Sequence, residues 1–128
     1  MDLPSTEKAL LWADVTEYTR AMEASEQLVA ERTTSWVDRC VRGWLPHLSG
    51  EFLQQAGDSI LLAFDATDQA LQAAWRLQND WQTLGLHWST SDALPLRIAL
   101  HWGRIWRGQH GCMAVSYTHL TLPTTSRV

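Results

Sequence analysis

Several features that would place a chain in a special class of protein are missing from this sequence. No apolar run is long enough to span a membrane or to form a signal-peptide core, since Asp14 interrupts the run near the N-terminus. The two cysteines, Cys40 and Cys112, lack the spacing of metal-binding or redox motifs, and Cys40 is predicted to be a buried free thiol. Positive charge is not in excess: the formal net charge is −4, which argues against non-specific binding to nucleic acid or anionic membranes. We therefore expect a cytoplasmic domain that binds neither a membrane nor nucleic acid.

The composition that is present is typical of one globular domain. The chain has 128 residues, 45% of them hydrophobic and 19% charged, which is enough to bury a core. Eight tryptophans are scattered along the chain rather than clustered, a distribution that favours packing over a binding platform.

The hydrophobic periodicity predicts an α+β fold with helices packed on one face of a mostly antiparallel sheet. The order is a strand over residues 9–14, a helix over about 18–45, a hairpin over 51–64, a helix from an N-cap at Thr67 to Gly85, and a strand that turns at Gly103. Pro46 and Gly50 are predicted to stop the first helix.

The last fourteen residues differ from the rest of the chain. Val115–Val128 contains no Asp, Glu or Lys and is rich in Thr and Ser. The stretch VSYTHLTLPT resembles a translated adapter of the kind used to build sequencing libraries, so we predict residues 1–114 to be a C-terminally truncated domain and residues 115–128 a non-native tail. A native polar-faced strand is the alternative.

Two aspartates at strand ends are the candidates for chemistry. Asp14 ends a strand-like run, and Asp58 follows Gly57 in the predicted hairpin turn. Each has an ordinary interpretation, Asp14 as a helix cap and Asp58 as a turn residue. If the first strand lies beside the hairpin, however, both carboxylates reach one sheet edge and could share Mg²⁺, and the helix start after Asp14 could collect phosphate oxygens.

Three segments in this order resemble the class III nucleotidyl cyclase catalytic domain, the adenylate and guanylate cyclase domain. They are LLWADVTEYTR, GEFLQQAGDSILLAF and LPLRIALHWGRI, and the resemblance runs from about Ala9 to Arg107. It implies a ferredoxin-like cyclase palm that converts a nucleoside triphosphate, with ATP favoured, into a 3′,5′-cyclic nucleotide and pyrophosphate. It also implies two Mg²⁺ or Mn²⁺ ions and an active site shared with a second cyclase domain or a second copy.

The resemblance further implies a role for individual residues. Asp14 and Asp58 would be the catalytic metal ligands, together with the Val15 carbonyl. The remaining residues would bind substrate: the backbone of Thr16, Glu17, Tyr18 and Thr19 holds the triphosphate, Gly57 adjoins it, Gln54 reads the base and Arg97 contacts phosphate. The alternative for Arg97 is an exposed strand arginine that pairs with a carboxylate.

Several departures from the family pattern leave other interpretations open. Gln54 stands where the family often has Lys, while Glu17 and Ala99 replace glycines. The downstream segment with the second base-reading residue and the Asn and Arg of the transition state is absent, so this chain alone is expected to be inactive. The alternatives are a non-catalytic cyclase-like regulatory domain, a diguanylate cyclase palm, whose acidic turn signature is missing from QAGDSI, and an α+β domain without a nucleotide site.

Overall fold

The chain folds into one antiparallel sheet with two helices on one of its faces, which confirms the predicted α+β class. The computed structural model describes residues 4–15, 20, 22–23, 25–84, 95–109 and 111–122, with side chains described as far as Val115. The strands are β1 (Ser5–Val15), β2 (Glu51–Ala56), β3 (Ser59–Phe64), β4 (Leu96–Gly108) and β5 (Gly111–Leu122), and the helices are α1 (Glu26–Asp38) and α2 (Thr67–Leu84).

The strand order brings the end of β1 against the starts of two other strands. The order is β2-β3-β1-β4-β5, and each neighbouring pair is antiparallel. β1 is therefore central, as its apolar sequence requires. In the register, Asp14 lies opposite Ser59 of β3 on one side and Arg97 of β4 on the other. The condition under which both carboxylates would reach one sheet edge, that β1 lies beside the hairpin, is therefore met.

Alternation along β1 divides its side chains between two apolar clusters. Ala9, Leu11, Ala13 and Val15 join the main core between the sheet and the helices. The opposite face, called the far face below, carries a second cluster that is built around four buried residues, namely Leu10, Leu61, Ala63 and Ile105. Because side chains two residues apart point to the same side of a strand, Asp14 belongs to the far face with Leu10 and Trp12.

The first helix is less regular than predicted. Of the predicted range 18–45, residues 18, 19, 21 and 24 lie outside the described part, and residues 20, 22 and 23 are helical. Ser25 is extended, α1 covers Glu26–Asp38, and a π-helical segment follows from Arg39 to Trp44. There the Leu45 amide donates to the Cys40 carbonyl, five residues earlier. The wider turn keeps Trp36, Cys40 and Trp44, which are four residues apart, on the buried side.

The end of this helical region agrees with the prediction that Pro46 and Gly50 stop the first helix. The π-helical segment ends at Trp44, Pro46 opens a separate 3₁₀ turn, Pro46–Leu48, and Ser49 then takes the left-handed conformation with φ 53°. The buried thiol is confirmed: Cys40 is free and fully buried, and burial raises its pKa to about 12. Cys112 is free and half-buried.

Helix α2 presents small residues and aromatic surface to the main core. Ala70, Ala73, Ala74, Leu77 and Trp81 are buried along one stripe. Thr67 is the first helical residue rather than the predicted N-cap, and the backbone amide of the preceding Ala66 donates to the Gln69 side chain. The predicted helix end at Gly85 lies outside the described residues.

The predicted turn at Gly103 is wrong, because β4 continues through it to Gly108. A Cβ atom on Gly103 would lie 2.2 Å from the Val115 carbonyl oxygen, so glycine permits the close approach of β5 beside a bulge. The chain reverses instead between Gly108 and Gly111, where Gly111 has φ 142°. β5 continues to Leu122; its pairing does not test the origin of residues 115–128, and the predicted non-native tail stays a prediction.

The sheet curls strongly enough to bring distant strands into contact. Arg107 at the end of β4 forms a two-pronged ion pair with Glu51 at the start of β2, although β1 and β3 lie between these strands in the sheet. The Arg107 guanidinium lowers the pKa of Glu51. The curl folds the β4–β5 hairpin toward the far face, where Ile105 is fully buried.

We expect Gly50→Ala to destabilise the fold by about 1–3 kcal/mol, the usual cost of overpacking a core. A Cβ atom at Gly50 would lie 2.3 Å from Leu45 Cδ1 and 2.6 Å from Phe64 Cε1, and the Phe64 ring is fully buried. Urea unfolding measures the change. Gly43→Ala is the matched control, since its Cβ atom would meet only Arg39 Cγ at 3.9 Å. Equal stabilities of the two variants would contradict this packing.

Candidate functional site

Asp14 lies on the far face through the alternation of side chains along β1, and it is the second-last residue of that strand. Its side chain is 21% exposed, so the carboxylate is partly desolvated but open to a ligand. The neighbouring Val15 returns to the main core, where its side chain is buried. The strand thus fixes the Asp14 carboxylate on a rigid element at the edge of the folded core.

Asp58 is held beside Asp14 by the tight turn between β2 and β3. Gly57 has φ 59°, which suits the first position of a two-residue hairpin turn, and Asp58 follows directly before β3 begins. Burial is the main cause that raises the pKa of Asp58, and the negative charge of Asp14 raises it further. A hydrogen bond from the Val15 backbone amide to the Asp58 carboxylate acts in the opposite direction. Asp14, Val15 and Asp58 therefore form one cluster.

Arg97 closes this cluster on its β4 side. Its Nε donates to Asp14 Oδ1 at 3.0 Å, and its Nη2 donates to Asp14 Oδ2 at 3.2 Å, so the guanidinium engages both carboxylate oxygens. This ion pair raises the pKa of Arg97. The side chain is 71% exposed, so solvent reaches most of the guanidinium. The alternative interpretation of Arg97, an arginine that pairs with a carboxylate, is the arrangement found here.

A shallow cavity of about 200 Å³ adjoins the ion pair; its lining residues are Trp12, Asp14, Arg97, Ile98 and Ala99. Sequence reasoning missed Trp12 as a lining residue. An apolar run such as the one predicted to form the first strand does not reveal which face of the sheet a residue occupies. The available signal was the two-residue spacing from Asp14.

The other predicted binding residues are placed less completely. Gln54 lies on β2 opposite Leu61 and is exposed, and paired residues of antiparallel strands share a face, so Gln54 is on the far face. Within the described residues, no hydrogen bond joins Gln54 to Asp14, Asp58 or Arg97. The predicted triphosphate loop, Thr16, Glu17, Tyr18 and Thr19, lies outside the described residues.

The donor set suits a hard divalent cation. Two carboxylates and the nearby backbone of Val15 supply oxygen ligands, and Mg²⁺ is commonly held by one or two carboxylates together with substrate phosphates. Within the described ranges, no group of three or more His, Cys, Asp or Glu side chains is placed to hold a metal ion. The cluster therefore fits a metal that arrives with additional oxygen ligands better than a site made of protein ligands alone.

A larger cavity lies away from this cluster. It has a volume of about 350 Å³, and its lining residues are Trp44, His47, Leu48, Gln72, Trp75 and Arg76. We place the candidate site at Asp14 and Asp58 in spite of the smaller cavity there, because the larger one has no carboxylate in its lining. Metal and phosphate chemistry needs the acidic pair.

The structure is similar to solved nucleotidyl cyclase domains. The guanylyl cyclase Cya2 matches with a TM-score of 0.68 and 16% identity over 92% of this chain. The adenylate/guanylate cyclase/hydrolase from Silicibacter pomeroyi matches with a TM-score of 0.69 and 23% identity over 88% of this chain. A third match is the catalytic core of a rhodopsin-guanylyl cyclase with converted specificity, in complex with ATPαS. Its TM-score is 0.66, with 17% identity over 88% of this chain.

These similarities establish the fold. This chain spans 66%, 65% and 67% of the three solved chains, respectively, so it corresponds to about two thirds of their length. No protein-family model matches the sequence, and a search of curated proteins finds no significant match. The chain thus has the cyclase-domain fold at low sequence identity.

None of the helices in the described residues is both long and apolar enough to cross a membrane.

Proposed function

We propose that this chain is the metal-binding part of a class III nucleotidyl cyclase domain, with ATP as the favoured substrate. The observation that carries the proposal is the convergence of the Asp14 and Asp58 carboxylates with the backbone of Val15 at the end of β1, with Arg97 beside them. The fold shared with solved cyclase domains supports it.

In the proposed reaction the ribose 3′-oxygen forms a bond to the α-phosphorus of the same nucleotide. The bond from that phosphorus to the oxygen bridging to the β-phosphorus breaks, pyrophosphate leaves, and the hydroxyl proton passes to water. Two divalent cations, Mg²⁺ or Mn²⁺, would lower the pKa of the attacking hydroxyl and neutralise phosphate charge. Asp14, Asp58 and the Val15 carbonyl would hold them.

The other residues of the chain would position the nucleotide. The backbone of residues 16–19 would hold the triphosphate, and Arg97 would bind a phosphate through two parallel N–H donors. Gln54 on the far face would meet the base, since an amide both donates and accepts hydrogen bonds. A favoured ATP agrees with the ATPαS complex of the rhodopsin-guanylyl cyclase core, a protein with converted specificity.

The chain alone is expected to bind nucleotide without turnover. It corresponds to about two thirds of the solved chains, and the Asn and Arg implied for the transition state are not in it. We propose that a longer parent protein supplies them and that its active site forms in a homodimer or with a second cyclase domain.

The assay that tests this function measures cyclic nucleotide from ATP and from GTP, with Mg²⁺ and with Mn²⁺, on the parent protein. Sequencing the source locus beyond the codon for Ala114 would give the reading frame of that protein, which is then expressed for the assay. We expect cyclic AMP as the main product, and we expect Asp14→Asn to abolish it. Absence of any cyclic nucleotide under all four conditions would contradict the enzyme proposal.

A non-catalytic cyclase-like domain is the second candidate, and the exposed Gln54 in place of the usual Lys favours it. Equilibrium binding separates the two functions. Metal-dependent nucleotide binding without product in the parent protein would support the regulatory domain.

A further inference from the structure

The two acidic side chains of the site differ in their ion pairs in the metal-free chain. Arg97 occupies both oxygens of Asp14, at 3.0 and 3.2 Å. Asp58 forms no ion pair with a side chain in the described residues; its hydrogen bonds come from its own backbone amide and that of Val15. One carboxylate is therefore covered by a cation, and the other is open.

Arg97 is poised to leave Asp14 without disturbing the core. Its side chain is 71% exposed, and within the described part of the chain its only hydrogen-bond acceptor is Asp14. Exposed ion pairs of this kind contribute little to stability, because water solvates both partners. The guanidinium can thus exchange partners at low cost.

A triphosphate is the partner for which this exchange is suited. The planar guanidinium binds phosphate with the same two-pronged geometry that it uses for a carboxylate. A divalent cation at Asp14 would compete with the guanidinium for the carboxylate lone pairs and would be repelled by its positive charge. A phosphate that draws Arg97 away would expose Asp14 at the moment when it brings further oxygen ligands for the metal.

We propose that Arg97 is a positioning residue that covers Asp14 until a triphosphate draws it away, so that metal and nucleotide binding are coupled through this one side chain. The inference rests on the proposed function. It adds that the empty chain disfavours metal at Asp14 and that the coupling is reciprocal, as linkage requires. The full site then assembles only with substrate present.

The first test measures Mn²⁺ affinity by electron paramagnetic resonance of free Mn²⁺, without and with adenosine 5′-(α,β-methylene)triphosphate. We expect Arg97→Gln to bind Mn²⁺ about threefold to fivefold more tightly than the unsubstituted chain without nucleotide, because the competing ion pair is lost and exposed pairs of this kind are weak. We expect the same variant to lose part of the gain in Mn²⁺ affinity that the nucleotide brings.

Arg104→Gln is the matched control. It removes the same charge from the same strand, but Arg104 pairs with Ser5 and Glu7. Arg97→Lys keeps the charge and removes the two-pronged geometry. Its Mn²⁺ affinity without nucleotide should therefore lie between those of Arg97→Gln and the unsubstituted chain. Equal Mn²⁺ affinity of Arg97→Gln and Arg104→Gln would overturn the inference.

The second test follows Arg97 directly. Its Nε–H resonance, assigned by its loss in Arg97→Lys, should shift on addition of Mg²⁺ and the nucleotide analogue. An unchanged resonance on saturation with both ligands would also overturn the inference. The proposed function fails separately, if neither ligand binds in a manner that depends on Asp14.

Discussion

We expect the replacement of Asp58 by asparagine to raise the thermal unfolding midpoint of the metal-free chain, and to lower the Mn²⁺ affinity measured with nucleotide by at least about tenfold. The second effect follows because partners that only support a metal ligand are already worth about 10–100-fold in affinity. The first follows because burial and the charge of Asp14 both disfavour the ionised Asp58. An asparagine oxygen can still accept the hydrogen bond from the Val15 amide.

The pH dependence of this stability gain has a definite sign. The pKa of Asp58 is raised in the folded chain above its ordinary value of 3.8, so the folded chain holds the proton to higher pH than the unfolded chain does. Ionisation of Asp58 therefore costs stability, and the cost grows as the pH rises through the interval between the two values. The advantage of Asp58→Asn should be smallest below pH 3.8 and should grow as the pH rises above it.

Asp65→Asn is the control for the carboxylate variant. Asp65 is 65% exposed and pairs with Lys8, away from the cluster of Asp14 and Asp58. Calorimetry at several pH values, with Mn²⁺ titrations of both variants, makes the comparison. A lower midpoint for Asp58→Asn than for the parent at pH 7, or an unchanged Mn²⁺ affinity, would contradict the role assigned to this carboxylate.

The acidic pair could be predicted from the sequence because each of its two signals depends on neighbouring residues only. The Gly57-Asp58 turn and the end of β1 are each visible in a few residues, and only the adjacency of β1 and β3 had to be assumed. The ion pair of Arg97 with Asp14 depends on the register between β1 and β4, strands that are more than eighty residues apart in the chain. Sequence alone offered phosphate binding and carboxylate pairing as equal alternatives for that arginine.

The errors in the predicted fold share a physical cause: contacts between residues that are distant in the sequence override the local sequence signals. Gly103 is an ordinary turn signal, yet here it admits the Val115 carbonyl of a neighbouring strand at a distance that no Cβ would allow. The π-helical segment after Asp38 keeps Cys40 and Trp44 buried, a demand of the core that helical periodicity does not express. The ion pair between Arg107 and Glu51 depends on the curl of the whole sheet.

The largest loss of stability is expected for Trp36→Ala, about 3–5 kcal/mol, the usual cost of deleting a buried aromatic side chain. Trp36 is fully buried, and its ring packs edge-on against Trp81 with centroids 5.0 Å apart. Its Nε1 donates to the Leu77 carbonyl at 3.2 Å, so the side chain ties α1 to α2. Since domains of this size have about 5–15 kcal/mol of stability in total, the variant should be close to unfolding at 37 °C.

Trp75→Ala supplies the matched control, because it deletes the same side chain from α2 at a position that is 63% exposed. We expect it to change stability by less than about 0.5 kcal/mol, as surface substitutions usually do. Urea unfolding followed by circular dichroism avoids the loss of a fluorescent probe in either variant. Trp36→Phe should fall between the two, since it keeps an aromatic ring beside Trp81 but lacks the donor to Leu77. The precision of extrapolated free energies of unfolding is about 1 kcal/mol. If the free energies of unfolding of the two alanine variants differ by less than this, the result would contradict the packing of α1 on α2 through Trp36.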